Sequence, residues 1–290
     1  MQLAYAQDEK WQRDAEREEL ERILSLELLQ PHFQPIMDLR RGVLIGHEAL
    51  IRGPEGSVLR APADLFRSAI EQGRQLELEL LCRKRSLQAF ARFASGGKLF
   101  LNITASLLSS PAHQHGFTAD LLRQLGIPID RIVIELSEQH PFDQHGLTRA
   151  AVEHYRSMGF SIAIDDLGAG YSGLKLWSEL QPEYVKIDKH FIRDLHQDPV
   201  KREFVHSISR IGRNLGCQVL AEGIEQMAEM RVLQTLGVEL GQGYLLGYPE
   251  VMPHAQLSAE QIRQPLPARL QQATQRTLYS LLPPRSWFGF

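Results

Sequence analysis

The sequence predicts an α/β protein: a (β/α)8 TIM-like barrel with an antiparallel first strand. Three observations predict it. Short β-rich runs alternate with helical stretches along most of the chain, the pattern of a parallel sheet covered by helices. The chain has 290 residues, 43% of them apolar, which suits one large core of barrel size. The first two β-rich runs are separated by little more than residues 40–42. That link cannot hold a crossover helix, so those two strands pair antiparallel.

In chain order, residues 8–29 read as a helix. Glu9 with Arg13 and Glu18 with Arg22 stand at i,i+4 spacing. Leu20, Ile23, Leu24 and Leu28 then form one apolar stripe, so the helix is exposed early and docked late; Pro31 ends it. Strands are expected over 32–39, 43–50, 98–103, 131–136, 161–166, 184–188, 217–222 and 243–247. Helices are expected over 62–73, 76–94, 117–125, 147–158, 199–215 and 225–236. Pro265 and Pro267 break the chain, after which Leu270, Ala273, Leu278 and Leu281 fit one more amphipathic helix. The tail carries Trp287, Phe288 and Phe290 with little polar cover. The expected organisation is a charged helical extension over 1–19, the barrel domain over 20–264, and a C-terminal helix with an apolar tail over 265–290.

Bulk chemistry excludes several classes. The formal net charge of -3 gives no electrostatic footprint for a nucleic-acid polymer. Cys82 and Cys217 are the two cysteines, far apart and outside any CxxC pair, which argues against a disulfide framework or zinc knuckle. A reducing cytoplasm fits. The charged first 29 residues do not read as a signal peptide. No run approaches the ~18–20 apolar residues of a transmembrane helix. A longer, membrane-attached parent remains compatible with these features.

The chemistry collects where strands end. Glu48, Glu135, Asp165, Asp166, Asp188 and Glu222 each stand at or just past the C-terminal end of an apolar run, as does Asn102. In a barrel those ends converge on one face. Carboxylates gathered there repel one another unless cations neutralise them. Oxygen-only ligands select hard ions: magnesium or manganese for catalysis, with calcium able to bind the same oxygens. Asp165 and Asp166 stand at a strand end where the backbone turns, so one of them can bridge two ions while the other holds only the second. Two ions about 3.5–4 Å apart suit in-line displacement at phosphorus. Lys186, two residues before Asp188, can orient or deprotonate an attacking water, or neutralise phosphate. Arg52 offers a planar fork for phosphate oxygens. The glycine-bearing segment 165–173 is by itself a weak phosphate-loop signal, and GxGxxG is absent.

Blander readings stand beside these. Any one acid after a strand can be a helix N-cap. Glu48 and Glu135 resist that reading because they sit inside apolar runs. Lys186 can be an ordinary barrel-lining lysine paired to Asp188 or Glu222. Glu138 and Glu225 can be solvated helix-start acids. The eleven histidines show no ligand spacing near these strands, and Cys82 reads as packing in a leucine-rich helix.

Eight ordered motifs carry a family resemblance: FQPI (33–36), EALIR (48–52), LNIT (101–104), ELSE (135–138), DDLGAGYSG (165–173), VKID (185–188), AEGIE (221–225) and GQGYLLGYP (241–249). Over about residues 20–260 the chain resembles the EAL family of cyclic di-GMP phosphodiesterases. The resemblance implies hydrolysis of cyclic di-GMP to linear pGpG by a two-metal in-line mechanism, with two magnesium or manganese ions and inhibition by calcium. Glu48, Asn102, Glu135 and Asp165 resemble the first metal's ligands. Asp165 and Asp166 resemble the pair holding the second, with Glu222 and Gln242 nearby, in part through water. Lys186 matches the family lysine beside the nucleophilic water, which with Glu48 and Asp166 makes the catalytic set. Gln34, Arg52, Asp188 and Gln242 resemble substrate contacts, and Glu138 an acid that anchors the loop after Asp166. A homodimer is implied, and the run at 51–57 resembles family members fused to other signalling modules. The loop departs from the usual DDFGTGYSS at Leu167, Ala169 and Gly173. The alternative is a cyclic di-GMP receptor that binds without cleaving; its usual mark, loss of the signature Glu or metal acids, is not seen here.

Overall fold

Eight strands close into a barrel in sequence order, β1 to β8. The computed structural model describes residues 2–92, 96–104, 116–137, 149–168, 173–252 and 257–264, with side chains from residue 11 onward apart from 12 and 137. β1 (Gln30–Asp38) pairs antiparallel with both β2 (Val43–Arg52) and β8 (Leu240–Gly241). The other strands, β3 (Lys98–Ile103), β4 (Ile132–Ser137), β5 (Ser161–Leu167), β6 (Tyr184–Ile187) and β7 (Gln218–Ala221), run parallel to their neighbours. The short link at 40–42 therefore has the expected consequence.

Helix α1 (Gln2–Ser25) is exposed at Trp11 and buried at Leu20, Ile23 and Leu24, as its charge pattern predicts. Those three pack with Leu65, Ala69 and Leu78 of α2 (Pro62–Glu71) and α3 (Gln75–Phe90). Two details differ from expectation. Arg22 pairs with Glu19 at 2.8 Å rather than with Glu18. Pro31 lies inside β1, because the helix has already ended at Ser25.

α4 (Phe117–Leu125), α5 (Arg149–Ser157), α6 (Gly173–Leu180), α7 (Lys189–Ile192), α8 (Pro199–Leu215) and α9 (Met227–Leu236) follow successive strands, and α10 (Ala259–Arg263) comes last. α8 shows why its limits were legible. Asp198 caps the backbone N–H groups of Val200 and Lys201, Pro199 opens the helix, and left-handed Gly216 closes it. α6, α7 and α10 escaped the sequence reading because they are short, at eight, four and five residues. The expected helix and tail over 265–290 lie outside the described residues.

The eighth strand is a correction. The expected strand over 243–247 is instead a turn, with Leu246 N–H and Gly247 N–H both donating to Gly243 O. β8 is Leu240–Gly241, wedged between β7 and β1. An apolar run does not by itself distinguish a strand from the tight turn that follows one.

The barrel interior is one apolar layer: Ile36, Phe100, Val133, Ala163, Tyr184, Leu220 and Leu240. The rings of Phe100 and Tyr184 meet edge to face at 5.2 Å. Removing the Phe100 ring would cost about 3–5 kcal/mol, because nothing in a closed barrel can collapse into the hole.

Candidate metal centre

The site is one pleat above that layer. Along a strand, residues two apart face the same way. Two places beyond Phe100, Val133, Ala163, Tyr184, Leu220 and Leu240 stand Asn102, Glu135, Asp165, Lys186, Glu222 and Gln242. β1 runs the other way, so Gln34 lies two places before Ile36, and it pairs across the ladder with Glu48. Polar residues at this level thus close a ring around the C-terminal mouth of the barrel.

Lys186 occupies the centre of the ring. Its Nζ lies 2.7 Å from Glu222 Oε1, 2.8 Å from Glu135 Oε1, 2.9 Å from Asp165 Oδ1 and 3.3 Å from Glu48 Oε2. Of the two expected barrel-lining partners, Glu222 is realised and Asp188 is not among these contacts. Glu48 also accepts from Asn102 Nδ2 at 2.9 Å and from Gln242 Nε2 at 2.7 Å. Gln242 further donates to Gln34 Oε1 at 2.8 Å, and Gln34 donates to Gly247 O at 3.1 Å.

The charges do not balance. Four carboxylates against one ammonium leave three formal negative charges in a buried place. Burial and the Glu48 charge push Glu135 well above the ordinary carboxylate range. Burial carries Glu222 to about 8, and burial with the Asp165 charge carries Asp166 to about 6. Glu48 goes the other way: burial raises it, but Lys186 and the bonds from Gln242 and Asn102 more than offset that. Burial opposes the charge on Lys186, and the surrounding carboxylates outweigh burial, so it stays protonated. Further positive charge is what this site lacks.

Two overlapping triads have oxygens close enough to share an ion. Glu48, Glu135 and Asp165 offer carboxylate oxygens within 4.8 Å of one another, and so do Asp165, Asp166 and Glu222. Asp165 belongs to both. A bulge in the strand makes this possible. The β5–β6 register shifts between Ile164 and Leu167, and Asp166 takes a left-handed φ of 58°. Successive residues of a flat strand point to opposite faces; the bulge lets both aspartates take part. The fit to a cation rests on Glu135 Oε2, a buried oxygen with no hydrogen-bond donor. An anionic oxygen so placed is costly unless a cation meets it.

The cavity above has a volume of about 340 Å³. Gln34, Glu48, Asp165, Asp166, Asp188, Glu222 and Gln242 line it, with Lys186 and Glu135 buried in the barrel mouth. Asp188 does two things, since its Oδ1 also caps α7 through His190 N–H at 2.8 Å. Arg52 is not among the lining residues. It donates to its neighbour's carbonyl, Ile51 O, and borders an adjacent apolar cavity of about 170 Å³ with Asn102. Glu138 lies outside the described residues. Leu167, where the family loop has Phe, is 2% exposed and packed in the main core, and Gly173 begins α6.

Sequence reasoning missed Leu50, Lys189, Gly223, Gly243 and Tyr244 as lining residues; Glu225, whose blander reading is a solvated acid, is exposed and also lines the cavity. Gly243 and Tyr244 were hidden by the misplaced eighth strand. The glycine before an aromatic, directly after Gln242, was the available signal.

These features define a TIM-like barrel with a hard-ion carboxylate centre on its C-terminal face. A family model of the EAL domain matches residues 17–249, and the chain belongs to that family. It is 30% identical over 237 residues to cyclic di-GMP phosphodiesterase PdeR of Escherichia coli K12, covering 79% of this chain and 35% of PdeR. Among solved structures it resembles Klebsiella pneumoniae BlrP1 in a calcium/cyclic di-GMP complex, with TM-score 0.72, 30% identity, and coverage of 79% of this chain and 58% of that one. It also resembles the PaMucR phosphodiesterase in complex with c-di-GMP, with TM-score 0.72, 26% identity, and coverage of 80% and 96%. The chain spans about a third of the length of the curated relatives it matches. Among the described residues no helix is long and apolar enough to cross a membrane.

Proposed function

We propose that this chain hydrolyses one phosphodiester bond of cyclic di-GMP to give linear pGpG, using two divalent cations. The observation that carries the reading is the pair of carboxylate triads sharing Asp165, with Glu135 Oε2 left without a donor. Family membership and the named activity of PdeR support the substrate. Glu48, Asn102, Glu135 and Asp165 would hold one ion; Asp165, Asp166 and Glu222 would hold the other. Such ions, magnesium or manganese here, lower the pKa of a bound water and stabilise charge developing at phosphorus.

The chain's own residues do the rest. In the reaction a water oxygen bonds to phosphorus, the phosphorus–O3′ bond breaks, and the 5′-phosphate stays with the product. Lys186 Nζ, held by four carboxylates, orients the attacking water and neutralises charge as the bond forms. Gln242 and Gln34 form a hydrogen-bonded chain along the cavity wall and present amide groups to the substrate. Asp188 and Arg52 complete the substrate contacts, with Arg52 approaching from the adjacent cavity. The loop-anchor role of Glu138 is carried by the family resemblance alone.

A second copy of the chain is the expected partner. Val200, Phe204, Ile211 and Leu215 form one exposed apolar stripe along α8, which suits burial in a homodimer. The cytoplasm, or the cytoplasmic face of a membrane-attached parent, is the expected compartment. Fusion to other signalling domains agrees with the share of its relatives that the chain covers.

Incubating the chain with cyclic di-GMP and manganese, then separating nucleotides by chromatography, tests the reading. Appearance of pGpG supports it. Tight binding with no pGpG after hours favours the receptor alternative.

A further inference from the structure

The turn after β8 carries two aromatic rings to the rim of the carboxylate cavity. Gly243 makes that turn possible: a Cβ there would lie 2.2 Å from the backbone N and O of Ile224. Leu246 N–H and Gly247 N–H both donate to Gly243 O, at 2.9 and 3.0 Å, forming one helical turn. The turn is pinned on both sides. Leu245 N–H donates to Ile224 O at 3.0 Å, Gln34 Nε2 to Gly247 O at 3.1 Å, and Glu250 N–H to Phe33 O at 3.1 Å.

Tyr244 and Tyr248 stand four residues apart on this turn, the spacing that brings side chains together. Their rings are stacked, with centroids 4.7 Å apart and planes 29° from parallel. Tyr244 lines the cavity beside Gln34, Glu48 and Gln242. The two rings are 49% and 48% exposed, so this is not a core contact. A rigid backbone here holds flat aromatic faces in water next to a site whose walls are acidic and polar. Such faces suit a planar heterocycle, because stacking needs no hydrogen-bond match and every base has a π-face.

We propose that the Tyr244–Tyr248 pair is a stacking shelf for one purine base of the substrate, with Tyr248 as a positioning residue. The inference rests on the reading of the carboxylate centre as a phosphodiester site. With the phosphodiester at the carboxylates, its flanking nucleosides extend toward the rim, where Tyr244 stands. Tyr248 backs that ring and widens the aromatic surface. The blander alternative is that the two rings only fill the outside of the turn.

Steady-state kinetics with cyclic di-GMP and manganese, together with calorimetric titration in calcium, separate these. The variants are Tyr248→Ala, Tyr248→Leu and Tyr248→Phe in the full chain. The shelf predicts that Tyr248→Ala raises KM, and Kd in calcium, by about tenfold while kcat stays within about twofold. Tyr248→Phe keeps wild-type KM, and Tyr248→Leu behaves like Tyr248→Ala. KM and Kd within twofold of wild type for Tyr248→Ala overturn the shelf, as does Tyr248→Leu matching Tyr248→Phe. A wild-type chain that binds without cleaving removes the hydrolase reading, and the calcium titration still decides the shelf. A wild-type chain that neither cleaves nor binds overturns both.

Discussion

Lys186 Nζ lies 2.8 Å from Glu135 Oε1, and both side chains are fully buried. A buried pair of this kind is seldom a source of net stability, yet breaking it is costly because one charge is left alone. Here three more carboxylates share the same ammonium. Lys186→Met should therefore destabilise the metal-free chain by about 3–5 kcal/mol. Manganese should restore much of that stability, since cations replace the missing charge, while hydrolysis stays lost. Denaturant unfolding in chelator and in manganese checks this. A metal-free Met variant as stable as wild type would contradict the central placement of Lys186.

Removing a single carboxylate should have the opposite balance. Glu48→Gln or Asp165→Asn keeps the side-chain shape and lessens the excess negative charge. Each should reduce kcat/KM by about a thousandfold or more, with folding in chelator preserved. Paired activity and circular dichroism measurements report both halves. Full activity in either variant removes that residue from the ligand set.

Calcium should occupy the same oxygens without supporting turnover. It is larger and accepts irregular coordination, so it holds a phosphate less well for in-line attack. Adding calcium to the manganese enzyme is expected to inhibit competitively with respect to metal, while cyclic di-GMP binding persists. Equal turnover in the two metals would count against the geometry proposed.

Both cysteines should be inert in the folded chain. Burial pushes Cys217 up to about 12 and Cys82 higher still. A raised thiol pKa keeps the neutral form, and the thiolate is the nucleophile. Iodoacetamide at pH 8 should label neither in native protein and both in denaturant, as read by intact mass. Rapid native labelling of Cys217 would show that the β7 entrance opens.

Replacing Gly243 tests the turn independently of any ligand. The added methyl of Gly243→Ala meets Ile224 backbone rather than a yielding side chain. A loss of at least about 2 kcal/mol is expected. A thermal melt unchanged from wild type would mean that the turn is not held as tightly as its hydrogen bonds indicate.

The barrel was legible because its strands are apolar runs closed by acids, and the antiparallel first pair because residues 40–42 leave no room for a helix. Glu48, Asn102, Glu135 and Glu222 were legible by position at strand ends. Lys186 as the centre of the ring was not, since sequence gives alternation along a strand but not which face looks inward. The interior layer of Phe100, Val133, Ala163 and Tyr184 fixes that face only once the barrel closes. The joint use of Asp165 and Asp166 was expected from the turn at the strand end, but the bulge behind it is a two-residue backbone event with no composition signal. The 243–247 turn was misread because Tyr244, Leu245 and Leu246 are strand-forming residues held in a turn by tertiary hydrogen bonds.

Hydrolysis in ¹⁸O-labelled water tests the central claim most directly. Wild-type chain with manganese and cyclic di-GMP should yield pGpG whose terminal phosphate carries one solvent oxygen, while Glu48→Gln yields at least about a thousandfold less labelled product in the same time. Intact cyclic di-GMP after hours, or pGpG without solvent oxygen in its phosphate, would contradict a water-attacking hydrolase centred on Lys186 and its four carboxylates.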